Sequence, residues 1–358
     1  MELNHGFPWE GDLAVEVTRR KRRGYARAAV CERKSRSNNR QADCPLPMET
    51  TMRPQFLLSI LLPVFSLQSQ QSPATETLVP VSASESLLVT TTGTGTTIVL
   101  IPGLFGSAFG YRHLLKLLPA AGFQAVVIEP LGVGRSPRPR RADYSLTAQA
   151  DRLAAVLHAR GIKSAVVVAH SVGASMALRL AYRHPELVGA VIALDGGPAE
   201  EAGTRGLRRA MRYAPWIKWM GGVRRLRPHM RKELIAASGN PSWVTSEVMD
   251  GYTAGATADL DGTLLAFVAM SEAREPERLA PHLGAIRCSV RLVVGTAIHQ
   301  GGVDEKHVRL MLEKLSNFAI DSVPGAGQYL FEEQPSAVVR VIERVVANTQ
   351  PPILGSLQ

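Results

Sequence analysis

Downstream of about residue 77, apolar residues follow two patterns that alternate along the chain. Short, nearly continuous apolar runs recur, and stretches with apolar residues three or four positions apart lie between several of them. Continuous apolar runs are typical of strands in a parallel sheet that is covered on both faces. The predicted strands are Thr97–Ile101, Gln124–Ile128, Ser164–Ala169, Ala190–Leu194, Val290–Val294 and Ala319–Val323.

A helix is predicted between the second and third of these strands. Leu146, Ala150, Leu153 and Leu157 are spaced as on one helical face, Ser145 is a suitable N-cap, and Gly161 is a suitable stop. Strand, helix and parallel strand form a βαβ unit. The sequence therefore predicts the α/β class, with a doubly wound, mostly parallel sheet.

The alternation stops after Leu194 and resumes near Arg287. The segment 199–286 has helical patterns broken by Gly and Pro and no convincing strand, and it is too long for a structureless loop. We expect a helical cap, inserted into a core that consists of residues 77–198 and 287–348. Ligands of open α/β sheets bind at the carboxyl edge of the strands, so this cap would cover the binding site.

The N-terminal region has a different composition. Residues 1–51 are polar, Arg-rich and without an apolar period, which predicts a disordered basic extension or an over-extended gene model. Residues 52–71 combine a positive start, an apolar stretch of about ten residues and a small polar exit, which is typical of a signal peptide. We therefore expect export to the periplasm or the extracellular space from a start near Met52. If Met1 is the true start, a cytoplasmic location is expected. The alternative for the apolar stretch is a short buried or interfacial helix.

Charge adds one feature to this picture. The net charge of the 358 residues is +10, and the stretch from Arg205 to Lys232 carries ten cations and no carboxylate. Aromatic residues alternate with these cations. One interpretation is contact with a membrane surface or with an anionic, lipid-like substrate, and the other is a solvated charged face. A nucleic-acid partner is not expected.

Three scattered cysteines indicate neither a disulfide framework nor a metal site, and no cofactor motif is present.

The most informative chemistry is the pentapeptide Ala169-His170-Ser171-Val172-Gly173. It follows a predicted strand and precedes a helical pattern. A serine on such a sharp turn presents its hydroxyl next to backbone N–H groups that can stabilise an oxyanion. Ser171 is therefore the candidate nucleophile. His170 lies on the same turn, but adjacent side chains diverge there, so we expect it to be a packed structural residue.

Two further segments extend this pattern. Pro102–Ser107 resembles an oxyanion turn, and Glu129–Ser136 resembles an Asp-x-x-Gly-x-Gly-x-Ser loop with Glu129 in place of Asp. Together with the serine turn and the insertion, these segments resemble the α/β-hydrolase fold family, in its lidded esterase, haloperoxidase-like and iminopeptidase-like branch, over about residues 77–348. The resemblance implies an oxyanion hole formed by the N–H groups of Leu104 and Val172.

The rest of a catalytic triad is missing from its expected places. The resemblance implies a histidine where Gln328 stands and an aspartate where Ile298 stands. An amide does not accept a proton near neutral pH. His299, oriented by Gln328 or Asp195, could replace the base, or it could be a solvent-facing loop residue.

Asp195 in turn could replace the acid or simply form the turn before Gly196. Asp304 is a weaker candidate for the acid.

Two hypotheses follow. The first is an exported serine hydrolase for a small, largely apolar ester or amide, with Ser171 as nucleophile and a weakened or non-standard base. The second is a catalytically silent homologue that binds a small molecule or a partner under its cap. The sequence does not indicate an oligomeric state.

Overall fold

The computed structural model describes residues 73–203 and 222–349. The predicted basic extension 1–51, the predicted signal peptide 52–71 and most of the basic stretch after Arg205 lie outside the described residues. None of the helices that are described is long and apolar enough to cross a membrane.

The described residues form an eight-stranded sheet with the order β1-β2-β4-β3-β5-β6-β7-β8. All six predicted strands are present, as β3 to β8. Each of them pairs in parallel with its neighbours among the six. Two strands were not predicted: β1 and β2 pair antiparallel with each other, and β2 pairs antiparallel with β4. The strands are β1 Thr75–Pro80, β2 Ser86–Thr92, β3 Thr96–Ile101, β4 Phe123–Glu129, β5 Ala165–His170, β6 Val188–Leu194, β7 Ser289–Gly295 and β8 Phe318–Val323.

Helices follow most of the strands. The predicted helix is confirmed as α2, and the side chain of Ser145 caps it by accepting a hydrogen bond from the N–H of Ala148 (3.1 Å). The helices are α1 Arg112–Ala120, α2 Leu146–Ala159, α3 Val172–Arg183, α4 Val223–Ala236, α5 Ser246–Ala258, α6 Leu260–Glu272, α7 Glu305–Lys314, α8 Leu330–Glu333 and α9 Pro335–Thr349. Short 3₁₀ helices occur at Ala108–Tyr111, Pro185–Leu187, Pro241–Trp243 and Ala280–Ala285.

Both faces of the sheet are buried, which is why its central strands have continuous apolar sequences. Leu153 of α2, Leu178 of α3 and Met311 of α7 contribute to the core on one face. Leu114 of α1 and Ile342 of α9 contribute to the core on the other face. The fold is therefore the doubly wound α/β sheet that the sequence predicts.

The order of the strands places the site. The chain runs from β3 to β4 on one side and then returns to β5 on the other side of β3. A crevice forms at the carboxyl edge where the strand order reverses in this way. The segment after β3 and Ser171 after β5 both lie at this point.

The described part of the predicted cap contains α4, α5 and α6 and no strand. Arg179 of α3, with a side chain only 1% exposed, links the two ends of this segment. It forms ion pairs with Glu200 (2.9 Å) and Glu275 (3.3 Å). The boundaries of the cap at residues 199 and 286 stay a prediction. One buried guanidinium binds both the segment that enters the cap helices and the segment that leaves them.

The end of α4 contacts two loops of the core. The carbonyl of Ala236 accepts a hydrogen bond from the N–H of Gln300, and the carbonyl of Ala237 accepts one from the N–H of Gln328, each at 2.8 Å. Because carbonyls at a helix C-terminus lack partners within the helix, these two bonds satisfy them. The cap thus supports the loops that follow β7 and β8.

Candidate functional site

Ser171 lies on a sharp turn between β5 and α3. Its backbone has φ +53° and ψ −123°, a conformation that costs a non-glycine residue about 1–3 kcal/mol and is concentrated at functional sites. The N–H of Ser171 donates to the carbonyl of Leu194 (3.0 Å), which fixes the turn against β6. A Cβ at Gly196 would lie only 2.3 Å from the carbonyl oxygen of Ser171, so a residue without a side chain is needed there.

The turn after β3 approaches Ser171 closely. A Cβ at Gly103 would be 3.3 Å from the Cβ of Ser171, and the turn is closed by the bond from the N–H of Gly106 to the carbonyl of Gly103 (2.9 Å). Leu104 of this turn and Val172 both line a cavity together with Ser171. Val172 is the first residue of α3, where backbone N–H groups have no partner within the helix. This arrangement suits the stabilisation of an oxyanion.

Glu129, at the end of β4, connects two loops of the site. Its carboxylate is 1% exposed and accepts hydrogen bonds from the N–H groups of Ala108 (2.7 Å) and Arg135 (2.5 Å). Burial raises the pKa of this carboxyl group, and the two N–H donors and the charge of Arg135 act against that rise. Glu129 therefore holds the loops in place by hydrogen bonds.

Gln328 lines the same cavity as Ser171. A Cβ at Gly301 would be 2.8 Å from the Oε1 atom of Gln328, so the amide packs tightly against the loop that follows β7. Ile298, at the position where the resemblance implies an acid, is 73% exposed. Neither residue can take or hold the proton of a serine hydroxyl.

His299 and Asp195 are brought together behind this loop. Their Nε2 and Oδ2 atoms are 4.0 Å apart, and their side chains are only 4% and 3% exposed. The Nδ1 atom of His299 is 3.1 Å from the carbonyl oxygen of Gln300. The Oδ1 atom of Asp195 accepts from the N–H of Val303 (3.1 Å). His299 is thus not a solvent-facing side chain, although its neighbours Gln300 and Gly301, rather than His299 itself, line the cavity.

The other two candidates have structural surroundings. His170 is 5% exposed and packs against Tyr329 and Phe331, with ring centroids 5.1 and 4.9 Å away. Burial lowers the pKa of His170 to about 4, partly offset by a hydrogen bond to the backbone of Gln328. The ring is therefore neutral near pH 7. Asp304 caps α7 by accepting from the N–H of Lys306 (2.8 Å).

Comparison with known proteins agrees with this geometry. Residues 96–272 match the family model described as the alpha/beta hydrolase fold. A thermophilic esterase from Thermogutta terrifontis superposes with a TM-score of 0.62 at 17% identity, covering 78% of this chain and 100% of the esterase. The chain has the α/β-hydrolase fold.

The relatives of this chain are distant in sequence. The uncharacterized protein Rv2715 of Mycobacterium tuberculosis is 23% identical over 278 residues, 72% of this chain and 77% of Rv2715. RutD of Escherichia coli O157:H7, named as a candidate carbamate hydrolase, is 29% identical over 157 residues, 44% of this chain and 51% of RutD. The match thus spans about half the length of RutD.

The cavity of this α/β-hydrolase-fold protein has a volume of about 1170 Å³ among the described residues. Its walls are mostly apolar, which is typical of small-molecule sites. The cap contributes Leu226, Met230, Tyr252, Leu264 and Phe267, and the core contributes Phe105, Phe109 and Phe331.

Sequence reasoning missed the residues that fasten the cap over this cavity. Tyr252 of α5 donates a hydrogen bond to Glu332 (2.9 Å), which also pairs with Arg112 of α1 (2.6 Å). The side chain of Glu332 is fully buried, and burial raises its pKa while Arg112 and Tyr252 lower it. No motif marks Glu332, because a carboxyl group in an amphipathic segment usually lies on the surface.

One group of side chains among the described residues has a spacing compatible with a metal ion. Ligand atoms of His158, His184 and Glu186 lie within 4.8 Å of one another. His158 is in the last turn of α2 and His184 follows α3, so the group lies at the amino edge of the sheet. Ser171 lies at the opposite, carboxyl edge, so this group takes no part in the candidate site.

Proposed function

We propose that the protein is a serine hydrolase that cleaves an ester or amide of largely apolar character, with Ser171 as the nucleophile. The strained turn at Ser171, in the wall of a large apolar cavity, is the observation that carries this proposal. Strain of this kind persists only where the surrounding structure imposes it. The hydrolase named among the relatives and the esterase with the same fold support the reaction class.

The reaction would proceed in two steps. The Oγ atom of Ser171 attacks the carbonyl carbon while its proton passes to a base, and the N–H groups of Leu104 and Val172 stabilise the oxyanion. The intermediate then releases an alcohol or amine, which leaves with the proton. Water hydrolyses the acyl-serine in the second step and restores the hydroxyl.

For the base we propose His299, with Asp195 as the residue that orients it. The two side chains are close and buried at the carboxyl edge of the sheet, which is the edge where Ser171 lies. His299 would have to turn toward the cavity past Gln300 and Gly301, with Gln328 as a neighbour. Without a substitute base, the loss of a triad member typically lowers turnover by about 10⁴ to 10⁶.

The alternative is a catalytically silent protein that binds a small molecule under the cap. The amide of Gln328 supports it, since this group replaces the proton acceptor in the wall of the cavity. The site and the cavity remain suited to binding without any base.

A fluorophosphonate probe separates these two functions. Under the hydrolase proposal, the probe forms an adduct on Ser171, the adduct is absent in Ser171→Ala, and it persists in Ser242→Ala, which changes an exposed serine of the cap. Absence of labelling at every pH from 5 to 10 would reject the hydrolase and favour the binding protein.

The same probe identifies the base. His299→Ala is expected to lower the rate of labelling by about 10²-fold or more, whereas Gln328→Ala leaves it within a few-fold. An unchanged rate in His299→Ala would reject His299 as the proton acceptor.

A further inference from the structure

Two imidazoles and a carboxylate meet at the amino edge of the sheet. His158 lies in the last turn of α2, His184 directly follows α3, and Glu186 lies in the short 3₁₀ helix that precedes β6. Each of the three side chains offers one ligand atom, and these atoms lie within 4.8 Å of one another. The Nε2 atom of His158 is 3.7 Å from the Oε1 atom of Glu186. We name these three residues the amino-edge group.

The backbone connects the segments that carry the amino-edge group. The N–H of Ser164, in the loop after α2, donates to the carbonyl of Glu186 (3.1 Å). The N–H of Leu187 donates to the carbonyl of His184 (3.0 Å), which closes the turn between α3 and β6. The fold therefore brings the three side chains together without any ligand. A preorganised set of this kind loses little conformational entropy when it binds an ion.

The spacing and the chemistry of the amino-edge group suit Zn²⁺. Zinc binds imidazole nitrogen at about 2.0–2.1 Å and carboxylate oxygen at about 2.0–2.2 Å, so its ligands are about 3.4 Å apart in a tetrahedral site. The side chains of His158 and Glu186 are 57% and 56% exposed, so both can close on an ion without disturbing the core. Two imidazoles, one carboxylate and a water molecule form a donor set that zinc takes in proteins.

Asp151 adjoins one of the imidazoles. Its Oδ1 atom is 3.3 Å from the Nε2 atom of His184, and its two carboxylate oxygens also accept from the guanidinium of Arg183 (2.8 and 3.0 Å). An Nε2–H group that donates to Asp151 leaves the lone pair of Nδ1 for a metal ion. A carboxylate commonly orients a metal-binding imidazole in this way. Asp151 is therefore placed to act as a positioning residue for His184.

We propose that the amino-edge group is a Zn²⁺ site, with His158, His184 and Glu186 as protein ligands and Asp151 as the residue that orients His184. The site is structural. It joins the end of α2 to the turn between α3 and β6, and it lies at the edge of the sheet opposite to Ser171. This inference goes beyond the proposed hydrolase and does not depend on it.

Calorimetric titration with Zn²⁺ at neutral pH tests the site in the full chain, prepared without a histidine tag and freed of metal by a chelator. His158→Ala and His184→Ala are each expected to lower the affinity for Zn²⁺ by about 100-fold or more, because each removes a ligand. Glu186→Gln should lower it as well. Asp151→Asn should lower it by about 10-fold, which is typical of the loss of a residue that orients a ligand.

The matched control is His229→Ala. His229 is an exposed histidine 3.9 Å from the carboxylate of Glu233, so it forms a pair like that of His158 and Glu186. Within the described part of the chain this pair has no third side chain placed to complete a metal site. The affinity for Zn²⁺ should therefore be the same in His229→Ala as in the unchanged protein.

Urea unfolding with and without Zn²⁺ supplies a second measurement. An ion that binds the folded state raises the unfolding midpoint, so Zn²⁺ should raise it in the unchanged protein and in His229→Ala but not in His158→Ala. Since each variant is compared with itself, a variant that is merely less stable is distinguished from one that has lost a ligand. Absence of Zn²⁺ binding, equal affinities in His158→Ala and His229→Ala, or a midpoint that Zn²⁺ does not change in the unchanged protein would overturn the site.

Discussion

Replacement of Arg179 by methionine tests the buried link at the two ends of the cap. The variant keeps the apolar stem but removes the guanidinium, which is 1% exposed and pairs with Glu275, 8% exposed. Glu275 would remain buried without a cation. Breaking a buried pair in this way costs about 3–5 kcal/mol.

The lower end of this range applies to Arg179. Glu275 would keep three hydrogen bonds, from the N–H groups of Leu146 (2.6 Å) and Thr147 (3.0 Å) and from the hydroxyl of Thr147 (2.7 Å). We therefore expect Arg179→Met to lower the free energy of unfolding by about 3 kcal/mol. The control, Arg309→Met, breaks an exposed pair with Glu305 and should cost about 0.3–0.5 kcal/mol.

Urea unfolding of the full chain measures both variants. The comparison requires equal slopes of free energy against urea concentration, so that the midpoints report stability. Two further variants complete a double-mutant cycle, namely Glu275→Gln alone and Glu275→Gln combined with Arg179→Met. The cost of Arg179→Met should fall in the Glu275→Gln background. A loss below 1 kcal/mol, or the same loss in both backgrounds, would refute the role given to Arg179.

Three further outcomes are expected. Gln328→His should speed labelling of Ser171 by the fluorophosphonate probe, and an unchanged rate would mean that the acid is missing as well. Since burial raises the pKa of Glu332 above 4.5, its share of stability is present at low pH and is lost as the pH rises through the raised value. Glu332→Gln should therefore flatten that decline in pH-dependent unfolding curves, and an equally steep decline would contradict this assignment. Ser145→Ala should lower the unfolding free energy by about 1 kcal/mol in urea titrations, and no loss would exclude a capping role.

The sequence predicts the central sheet well because its strands are buried on both faces. Val166, Val167 and Val168 of β5, for example, are all at most 2% exposed, and a continuous apolar run is the direct result. β1 has the opposite character, since its sequence Thr-Glu-Thr-Leu-Val-Pro is largely exposed. An edge strand of this kind has no continuous apolar run in its sequence. Only its pairing with β2 in the structure identifies β1 as a strand.

The site is predictable in part. The turn at Ser171 has a sequence pattern, and the places of His299 and Asp195 at strand ends follow from the order of strands. Their 4.0 Å separation does not, because it depends on how the loop after β7 folds back over Asp195.

The two hydrogen bonds at the end of α4 limit the exchange of the cap for the cap of another protein. Ala236 and Ala237 of the cap segment hold Gln300 and Gln328 in the core, so the cap is not an independent module that sits on a finished site. A chimaera that imports a cap from another protein would lose both carbonyl acceptors unless the incoming helix ended at the same point. Recombination of caps should therefore succeed only when the loops after β7 and β8 are transferred with the cap as one unit.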